Sequence, residues 1–436
     1  MFKRVALAVF LILAVTATSS VSAQFTQTDK RMALDSVFSI LEMKYIFPEV
    51  ASKMENTVRA RYLSGSYDTI QSAAVFAKLL TKQLQEISCD QHLKVEYSPR
   101  VTSSLTNEKK GSGNGYLNWL LPLLKENKYG IAEKKILAGN IGYLNLPLFG
   151  PLEYCADSII GAMRFVENTD ALIIDLRACR GSLDEYAIPF FASYFFQEPV
   201  HLSDFYDRAK DFTQQFWTAA WVPGKKYVNK PVYILTSGRT FSGGEAIAFS
   251  LQQQKRAVVV GEVTRGGAHP TELYEAGNLF KVAVPYARTI DPVTKTNWEG
   301  TGVQPDTLTP ANKALYMAHT GLLTLLLQAA GDDNKMQAIT HVIERLEAGK
   351  PEFKKIVFEL EGYEKAKEVS VAGSFNYYAR KSSPLKQAGT KWIGEIELEK
   401  GKVLYAFVVD GQLVVDPRNP VKENANGTAH SVLLVK

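Results

Sequence analysis

Apolar residues recur three and four positions apart over about residues 27–88, for example in "SAAVFAKLLTKQLQEI". This spacing places the apolar side chains on one face of a helix, so it predicts a helical domain, which we place at residues 24–96. The next stretch, "SSLTNEKKGSGNG", is polar and rich in glycine, which is typical of a loop. We therefore assign residues 97–134 to a linker and the entry to the next domain.

From about residue 135, short and almost wholly apolar runs alternate with longer helical stretches. "ALIIDLRA", "PVYILTS" and "AVVVGE" are such runs, and they suit strands that are buried on both faces of a sheet. The alternation predicts an α/β core with a largely parallel sheet over residues 135–310. Helical patterning then returns over residues 311–353 and predicts helices with a linker.

The last part of the chain changes to short alternating segments that are separated by glycine, proline and asparagine turns. "EVSVAGSF", "KWIGEIEL" and "VLYAFVVDGQLVVDP" show the pattern. It predicts a small β-sandwich over residues 354–436.

The first 23 residues have the pattern of a secretion signal. Lys3 and Arg4 precede an apolar run of about 13 residues, and Val21 to Ala23 form the small-x-small pattern that signal peptidases cut. We predict cleavage after Ala23, a periplasmic or secreted protein, and no membrane span after cleavage. An uncleaved membrane anchor is the alternative, but the run is short for a bilayer span.

Charge and cysteine content narrow the possible partners. The formal net charge of +5 falls to +3 when residues 1–23 are removed, which is too small to indicate nucleic acid or anionic lipid as a partner. Three cysteines allow at most one internal disulfide. Cys89 and His92 have metal-like spacing, but no second pair of ligands lies nearby in the sequence, so we expect neither a metal nor another cofactor.

The stretch "RTFSGGEAIAF" at residues 239–249 contains the first candidate for chemistry. Ser242 and Glu245 have the spacing of a helix capping box, which on its own is the more common explanation. However, Ser242 follows an apolar strand and precedes a helix, so it lies at the carboxyl edge of the sheet, where α/β proteins place their sites. The amide of Gly243 is then a natural oxyanion donor, and capping and catalysis can coexist.

A second oxyanion donor and a base are also available. "DLRACRGS" ends the neighbouring strand, and the turn at Gly181 either supplies a free N–H group or is an ordinary tight turn. Of the six histidines, His92 lies where a helix gives way to an extended run and can face a cleft. His269 follows a Gly-Gly-Ala turn near the core and is the reserve candidate, whereas His319 and His341 lie in amphipathic helices.

Several motifs together resemble the serine peptidase family of tail-specific (carboxyl-terminal processing) proteases, tricorn core domains and interphotoreceptor retinoid-binding protein repeats. The resemblance covers about residues 30–310, and the motifs occur in the family's order. They are "DQHLKV", "GNIGYLNLPLF", "DLRACRGS", "LTSGRTFSGGEAIAFSLQQ", "VVVGEVTRGGA" and "NWEGTGVQPD". The resemblance implies a ClpP/crotonase-like α/β core and a serine-type endopeptidase.

The resemblance also implies the catalytic residues. The branch of the family with a serine–lysine dyad has its lysine 25 residues after the serine, but residue 267 of this chain is glycine. The tricorn-like branch uses the histidine and the glutamate that correspond here to His92 and Glu299. The implied site thus contains Ser242 as nucleophile, His92 as base and Glu299 as its partner, with the amides of Gly243 and Gly181 as the oxyanion hole.

Three residues depart from the family pattern: Gln91, Cys179 and Ser182. They motivate an alternative, a non-catalytic protein of the same fold that binds an apolar ligand or a peptide. Only about 40 residues separate "HLKV" from "GNIGYL", about half of what an inserted PDZ domain needs. We therefore expect the cleft and the flanking domains to select polypeptide substrates, with a peptide strand added to a core edge.

The predicted sandwich resembles the glycogen-binding module of the AMP-activated kinase beta subunit and the isoamylase N-terminal domain, which implies an immunoglobulin-like fold. "AGSFN", "VVDG", "DPRNP" and "NGTAHSVL" occur in family order. Tyr378, with Tyr377 beside it, and Thr428 are the candidate carbohydrate contacts that remain, because the second sugar-stacking tryptophan corresponds to Leu413. The module either contacts polysaccharide, and can target the protein to glucan, or packs against the peptidase or another partner.

Overall fold

The computed structural model describes residues 25–98, 114–425 and 427–436. The predicted signal peptide and residues 99–113 of the predicted linker lie outside the described residues. The α-helices are α1 (Gln27–Lys44), α2 (Pro48–Leu63), α3 (Ala73–Ser88), α4 (Asn114–Glu126), α5 (Leu152–Val166), α6 (Ala187–Ala192), α7 (Gly243–Gln253), α8 (Ala311–Gln328) and α9 (Asp333–Ala348). The strands are β1 (Lys94–Tyr97), β2 (Glu133–Leu137), β3 (Ile141–Asn145), β4 (Ala171–Asp175), β5 (His201–Asp207), β6 (Phe212–Trp217), β7 (Val232–Thr236), β8 (Val258–Gly261), β9 (Thr271–Ala276), β10 (Phe280–Pro285), β11 (Ala287–Ile290), β12 (Thr307–Leu308), β13 (Phe353–Glu361), β14 (Val369–Gly373), β15 (Lys386–Ala388), β16 (Lys391–Glu399), β17 (Gly401–Val409), β18 (Gln412–Val414), β19 (Lys422–Ala425) and β20 (Thr428–Val435).

The N-terminal region contains three helices, as the apolar periodicity predicts. Thr26 and Asp29 form a capping box at the start of α1, and the Ser72 side chain caps α3. The apolar faces of these helices pack against a three-stranded sheet in the order β1-β10-β9. Because β9 and β10 come from the far end of the α/β core, the helices share their hydrophobic core with strands that the helical pattern did not include.

The centre of the molecule is a six-stranded sheet in the order β12-β8-β7-β4-β3-β2. Every neighbouring pair is parallel except β2 and β3, which confirms the predicted, largely parallel sheet. Alternate residues point to opposite faces, so Ile174 packs with α5 and α7 whereas Ile173 packs with α8 and α9. Since parallel strands end at the same edge, the turns after β4, β7 and β8 meet there.

A β-sheet domain follows α9. Its sheets have the orders β13-β16-β15 and β14-β17-β20-β19, and β18 pairs with β17. The domain packs against the α/β core: Lys313 of α8 forms an ion pair with Glu397, and the Arg177 guanidinium lies 4.9 Å from the centre of the Tyr377 ring. Within the described part of the chain, none of the helices combines the length and the apolar character that a membrane crossing needs.

Candidate active site

Ser242 lies in the turn that joins β7 to α7, directly before the helix begins. Its backbone has φ 51° and ψ −118°, a conformation that non-glycine residues rarely adopt. The turn is fixed to the neighbouring loop after β4: the Phe241 N–H donates to the Cys179 carbonyl at 3.1 Å, and the Thr240 hydroxyl to the Leu176 carbonyl at 2.8 Å. Strain that is held by its surroundings in this way is a common property of functional residues.

Glu245 does more than cap the helix. Its carboxylate is fully buried and accepts a hydrogen bond from the Ser242 N–H at 2.7 Å. It also accepts from the Thr264 hydroxyl at 2.5 Å and from the amides of Gly266 and Gly267 at 2.6 and 2.9 Å. Burial raises its pKa to about 7, and these hydrogen bonds oppose that shift. Glu245 therefore connects the serine turn to the loop after β8.

Two glycine backbones lie against Ser242. At Gly181, φ is +125°, and an added Cβ would lie 3.1 Å from the Ser242 Cβ and 3.6 Å from its Oγ. At Gly243, an added Cβ would lie 2.5 Å from the Ser182 Cβ. Both positions thus need glycine, which lets the two main chains that carry the predicted oxyanion donors approach the serine closely.

Two of the three residues that depart from the family pattern, Cys179 and Ser182, fill the space around this turn. Ser182 donates a hydrogen bond to the Asp184 carbonyl at 2.6 Å and packs against Gly243. Cys179 is buried, and an added Cβ on Gly244 would lie 2.8 Å from its sulfur. The structure has Cys89, Cys155 and Cys179 as free thiols.

His92 lies between the end of α3 and β1, and it lines the same cavity as Ser242. Its ring centre is 4.5 Å from that of Phe241, the residue before the serine. Both ring nitrogens are buried and have no hydrogen-bond partner among the described residues, so a bond to Ser242 is not formed. Burial lowers the pKa of His92 to about 4, and the imidazole is therefore neutral near pH 7.

Glu299 follows Trp298 in the loop after β11 and approaches the same place. One carboxylate oxygen accepts a hydrogen bond from the Ala268 amide at 2.5 Å, and the other is buried without a partner among the described residues. Burial, and next the charge of Asp90, raises the pKa of Glu299 to about 7. Single ligand atoms of Asp90, His92 and Glu299 all lie within 4.8 Å of one another.

Asp90 and His269 complete this cluster, and no role was predicted for Asp90. The Asp90 carboxylate is buried, lies 3.0 Å from His269 Nδ1, and accepts a hydrogen bond from the His92 backbone N–H, also at 3.0 Å. His269 Nδ1 is 3.4 Å from Glu299 Oε2. Two features of the sequence could have indicated this contact: Asp90 begins the "DQHLKV" element, and His269 was the reserve candidate for the base.

Two carboxylates and an imidazole within this distance are also a possible ligand set for a divalent cation. The carboxylates already have other partners, because Asp90 is bonded to His269 and Glu299 to the Ala268 amide.

A cavity of about 600 Å³ opens beside Ser242. Its wall is somewhat more apolar than polar, and Asp184 and Glu185 are among the polar residues that line it. The apolar lining includes Ile188, Leu202, Phe205, Phe216, Ala246 and Trp298. The shape and lining suit an apolar side chain of an extended peptide.

The candidate carbohydrate residues of the β-sheet domain lie apart from this cavity. Tyr377 packs on Arg177, which is itself buried and paired with Asp175 at 2.5 Å. The half-buried ring of Tyr378 has its centre 5.0 Å from that of His430, and Thr428 begins β20. Tyr377 is therefore a contact between the β-sheet domain and the core.

Comparison with protein families matches three parts of the chain. Residues 140–309 match peptidase family S41, and residues 26–120 match the N-terminal domain of peptidase S41 in eukaryotic IRBP. Residues 354–436 match the glycogen recognition site of AMP-activated protein kinase. The chain thus carries the domains of a serine-type peptidase of family S41, followed by a glycogen-recognition module, which confirms the resemblances drawn from the motifs.

Curated relatives match part of the chain. The pig 5'-AMP-activated protein kinase subunit beta-1 is 36% identical over 70 residues, which are 16% of this chain and 56% of that relative. The human subunit beta-2 is 38% identical over 73 residues, which are 17% of this chain and 26% of that relative. The chain therefore spans only about half, or a quarter, of the length of these relatives.

Solved structures with similar folds include proteases. A proposed peptidase from Parabacteroides merdae is 18% identical with a TM-score of 0.47, over 67% of this chain and 96% of that one. A lipoprotein from Streptococcus agalactiae is 14% identical with a TM-score of 0.45, over 73% and 100%. A photosystem II D1 C-terminal processing protease is 14% identical with a TM-score of 0.40, over 65% and 93%.

Proposed function

We propose that the protein is an exported serine endopeptidase that hydrolyses unfolded or extended polypeptides through Ser242, His92 and Glu299. The observation that carries this proposal is the placement of Ser242: a strained residue on a strand-to-helix turn, with Gly181 packed against it and the buried imidazole of His92 in the same cavity. The Glu299 carboxylate in turn has an oxygen within 4.8 Å of that imidazole. A helix cap alone requires neither the strain nor the packed glycine.

In the proposed reaction, the Ser242 hydroxyl attacks the peptide carbonyl carbon while His92, neutral near pH 7, accepts its proton. The ionised Glu299 stabilises the imidazolium, and the amides of Gly181 and Gly243 bind the oxyanion. His92 then gives the proton to the leaving amine. Water, deprotonated in turn by His92, hydrolyses the acyl-enzyme and releases Ser242. Because the His92 ring nitrogens have no partner among the described residues, the reaction requires the imidazole to move to the Ser242 hydroxyl when substrate binds.

We propose that the substrate binds as an extended chain with an apolar side chain in the cavity beside Ser242. The residues that surround this cavity support the choice of an apolar side chain. We further propose that residues 1–23 direct export to the periplasm or the medium. A ClpP/crotonase-like core and an immunoglobulin-like sandwich remain our interpretation of the two β-containing domains.

The test is hydrolysis of unfolded casein and of a mixed peptide library by the purified protein. Ser242→Ala and His92→Ala should abolish cleavage, and Glu299→Gln should reduce it sharply, with all variants folded by circular dichroism. Ser52→Ala, which changes an exposed serine on α2, is the matched control. Equal activity of the parent and Ser242→Ala would remove Ser242 from the nucleophile role. An inactive parent would favour the non-catalytic binding protein, which the unformed bond between His92 and Ser242 also motivates.

A second proposed function is polysaccharide contact through the C-terminal module. The family match of residues 354–436 and the partial exposure of Tyr378 favour it. Retention of the protein on an insoluble glucan column, lost in Tyr378→Ala, supports this function. If the parent passes through the glucan column without retention, the module does not bind glucan and serves as a packing partner of the core.

A further inference from the structure

Four arginines, one from each of four loops, surround the Ser242 turn. We call them the arginine cluster: Arg180 after β4, Arg239 after β7, Arg265 after β8, and Arg380 of the β-sheet domain. None of the four is among the described residues that line the apolar cavity. The cluster therefore marks a second surface next to the serine, with a different chemistry.

Short contacts hold three of these loops together. Arg180 precedes Gly181, whose backbone touches Ser242. The Arg265 N–H donates to the Thr240 carbonyl at 3.0 Å, and its guanidinium lies 4.3 Å from the centre of the Phe241 ring. Arg239 is the residue before Thr240. Arg239 is thus three positions before the serine in the chain, and Arg180 and Arg265 belong to loops that contact the serine turn.

The β-sheet domain supplies the fourth arginine. Its loop at residues 379–382 packs on Gly238, where an added Cβ would lie 3.4 Å from the Ala379 Cβ and would collide with the Ser382 side chain. The Arg380 guanidinium donates to the Gly411 carbonyl at 2.8 Å, which fixes its direction. The C-terminal domain therefore contributes directly to the surface beside Ser242.

The positive charges of the cluster lack ion-pair partners. Among the described residues, none of the four arginines forms a salt bridge, although Arg59, Arg177 and Arg418 all do. Burial, and then the charges of the other three arginines, lowers the pKa of Arg239.

The carboxylates nearby already have other donors. Glu262 accepts hydrogen bonds from the amides of Gly238 and Ala311, and Glu245 accepts from the serine turn and the loop after β8. Arg180, Arg265 and Arg380 are exposed, so a ligand can reach them. A cluster of unpaired arginines is unfavourable without an anion, and a planar guanidinium suits a carboxylate.

We propose that the arginine cluster binds a carboxylate of the peptide substrate, which gives the enzyme a preference for acidic polypeptides. This inference rests on the proposed peptidase function. The apolar cavity then holds one side chain of the substrate, and the cluster holds an acidic group on another side of the scissile bond. The carboxylate can come from an aspartate or glutamate side chain or from the C-terminus of the substrate.

The test measures binding without hydrolysis, in the Ser242→Ala variant of the full chain. Three decapeptides with an uncharged coumarin label share one alanine–leucine sequence. The first carries four glutamates and an amidated C-terminus, the second four glutamines and the same amide, and the third four glutamines and a free C-terminal carboxylate. Fluorescence anisotropy should give a Kd about tenfold lower for the glutamate peptide than for the glutamine amide.

The difference in Kd between the glutamate and glutamine amides should disappear when Arg239→Gln or Arg265→Gln is added, and it should shrink with Arg380→Gln. It should persist with Arg345→Gln, a control that removes an exposed arginine of α9. Arg265→Lys keeps the charge but loses the planar fork, so an intermediate Kd is expected. Tight binding of the third peptide assigns the terminal carboxylate as the source. Equal binding of all three peptides, or an equal loss with Arg345→Gln, overturns the inference.

Hydrolysis by the parent separates the two proposals. If the parent cuts casein but its Ser242→Ala variant does not prefer the acidic peptide, only the carboxylate site is wrong. If the variant prefers the acidic peptide but the parent cuts nothing, only the peptidase function is wrong.

Discussion

Asp90 Oδ2 lies 3.0 Å from His269 Nδ1, and this contact joins the N-terminal helical region to the α/β core. The other oxygen of the same carboxylate accepts a hydrogen bond from the His92 backbone at 3.0 Å. The Tyr45 hydroxyl donates a further hydrogen bond to Oδ2, at 3.3 Å. One buried carboxylate thus positions the proposed base relative to the core that carries Ser242.

We therefore expect Asp90→Asn to lower kcat by about 10- to 100-fold with little change in KM, because His92 is displaced rather than lost. A second readout separates this from simple destabilisation. The charge of Asp90 raises the pKa of Glu299, so its removal should move the acid limb of the pH–kcat/KM profile to lower pH. Asp35→Asn, on the surface of α1, is the control and should leave the profile unchanged.

The pH dependence of the parent should follow Glu299. Its pKa is raised to about 7, so it becomes ionised, and able to stabilise an imidazolium, only as the pH rises through 7. His92, with a pKa of about 4, is already neutral there and adds no second step. We expect kcat/KM to rise with a midpoint near pH 7, and Glu299→Gln to be about 10²- to 10⁴-fold less active with no such rise. A midpoint near pH 4 in the parent would assign the limb to His92 instead.

Gly181→Ala should inactivate the enzyme with a small loss of stability. The added methyl group would lie 3.1 Å from the Ser242 Cβ at a φ of +125°, so the loop must move and carry its amide away from the oxyanion. The loss of one oxyanion donor lowers kcat by about 10²- to 10³-fold. Gly161→Ala is the matched control, because an added Cβ in α5 meets nothing within 4 Å. It should keep full activity and gain about 0.5–1 kcal/mol of stability.

Glu245→Ala should cost about 3–5 kcal/mol of unfolding free energy, because it leaves several buried donors without an acceptor. Those donors are the amides of Ser242, Gly266 and Gly267 and the Thr264 hydroxyl. Chemical denaturation measures the loss, and Glu245→Gln, which keeps one acceptor oxygen, should recover part of it. If Glu245 were only a helix cap, the alanine variant would lose about 1 kcal/mol.

Tyr377 and Tyr378 are neighbours in sequence but should respond differently to truncation. Tyr377 covers the buried pair of Arg177 and Asp175, so Tyr377→Ala should cost about 2 kcal/mol and loosen the β-sheet domain from the core. Tyr378→Ala should cost less, since Tyr378 is half-buried and makes a ring contact to His430. Thermal unfolding and limited proteolysis compare the two variants. Equal destabilisation would contradict this assignment.

The elements that follow from local patterns were predictable from the sequence. The helices of the N-terminal region and the parallel sheet follow from apolar spacing, and the turn of Ser242 follows from a strand, two glycines and a helix. His92 was a candidate from its position between a helix and an extended run, whereas Glu299 and the pairing of the two needed the family resemblance, because no local pattern links positions so far apart. Their catalytic roles remain predictions.

The contacts between distant segments were not predictable. The bond between Asp90 and His269 depends on how β9 and β10 close the helical core, which the alternation of apolar residues does not encode. The departures at Cys179 and Ser182 motivated the alternative of a non-catalytic protein, yet each side chain packs against a glycine of the serine turn. The docking of the C-terminal domain through Tyr377 depends on the shape of both surfaces.

The pairing of β1 with β10 sets the order in which the molecule can be completed. During synthesis, the three N-terminal helices emerge long before Phe280, Val282 and Val284, which finish their hydrophobic core. A nascent chain therefore cannot bring His92 and Asp90 beside Ser242 until nearly the whole α/β core has left the ribosome. On the proposed mechanism, the catalytic cleft is therefore complete only after the chain that forms it has folded.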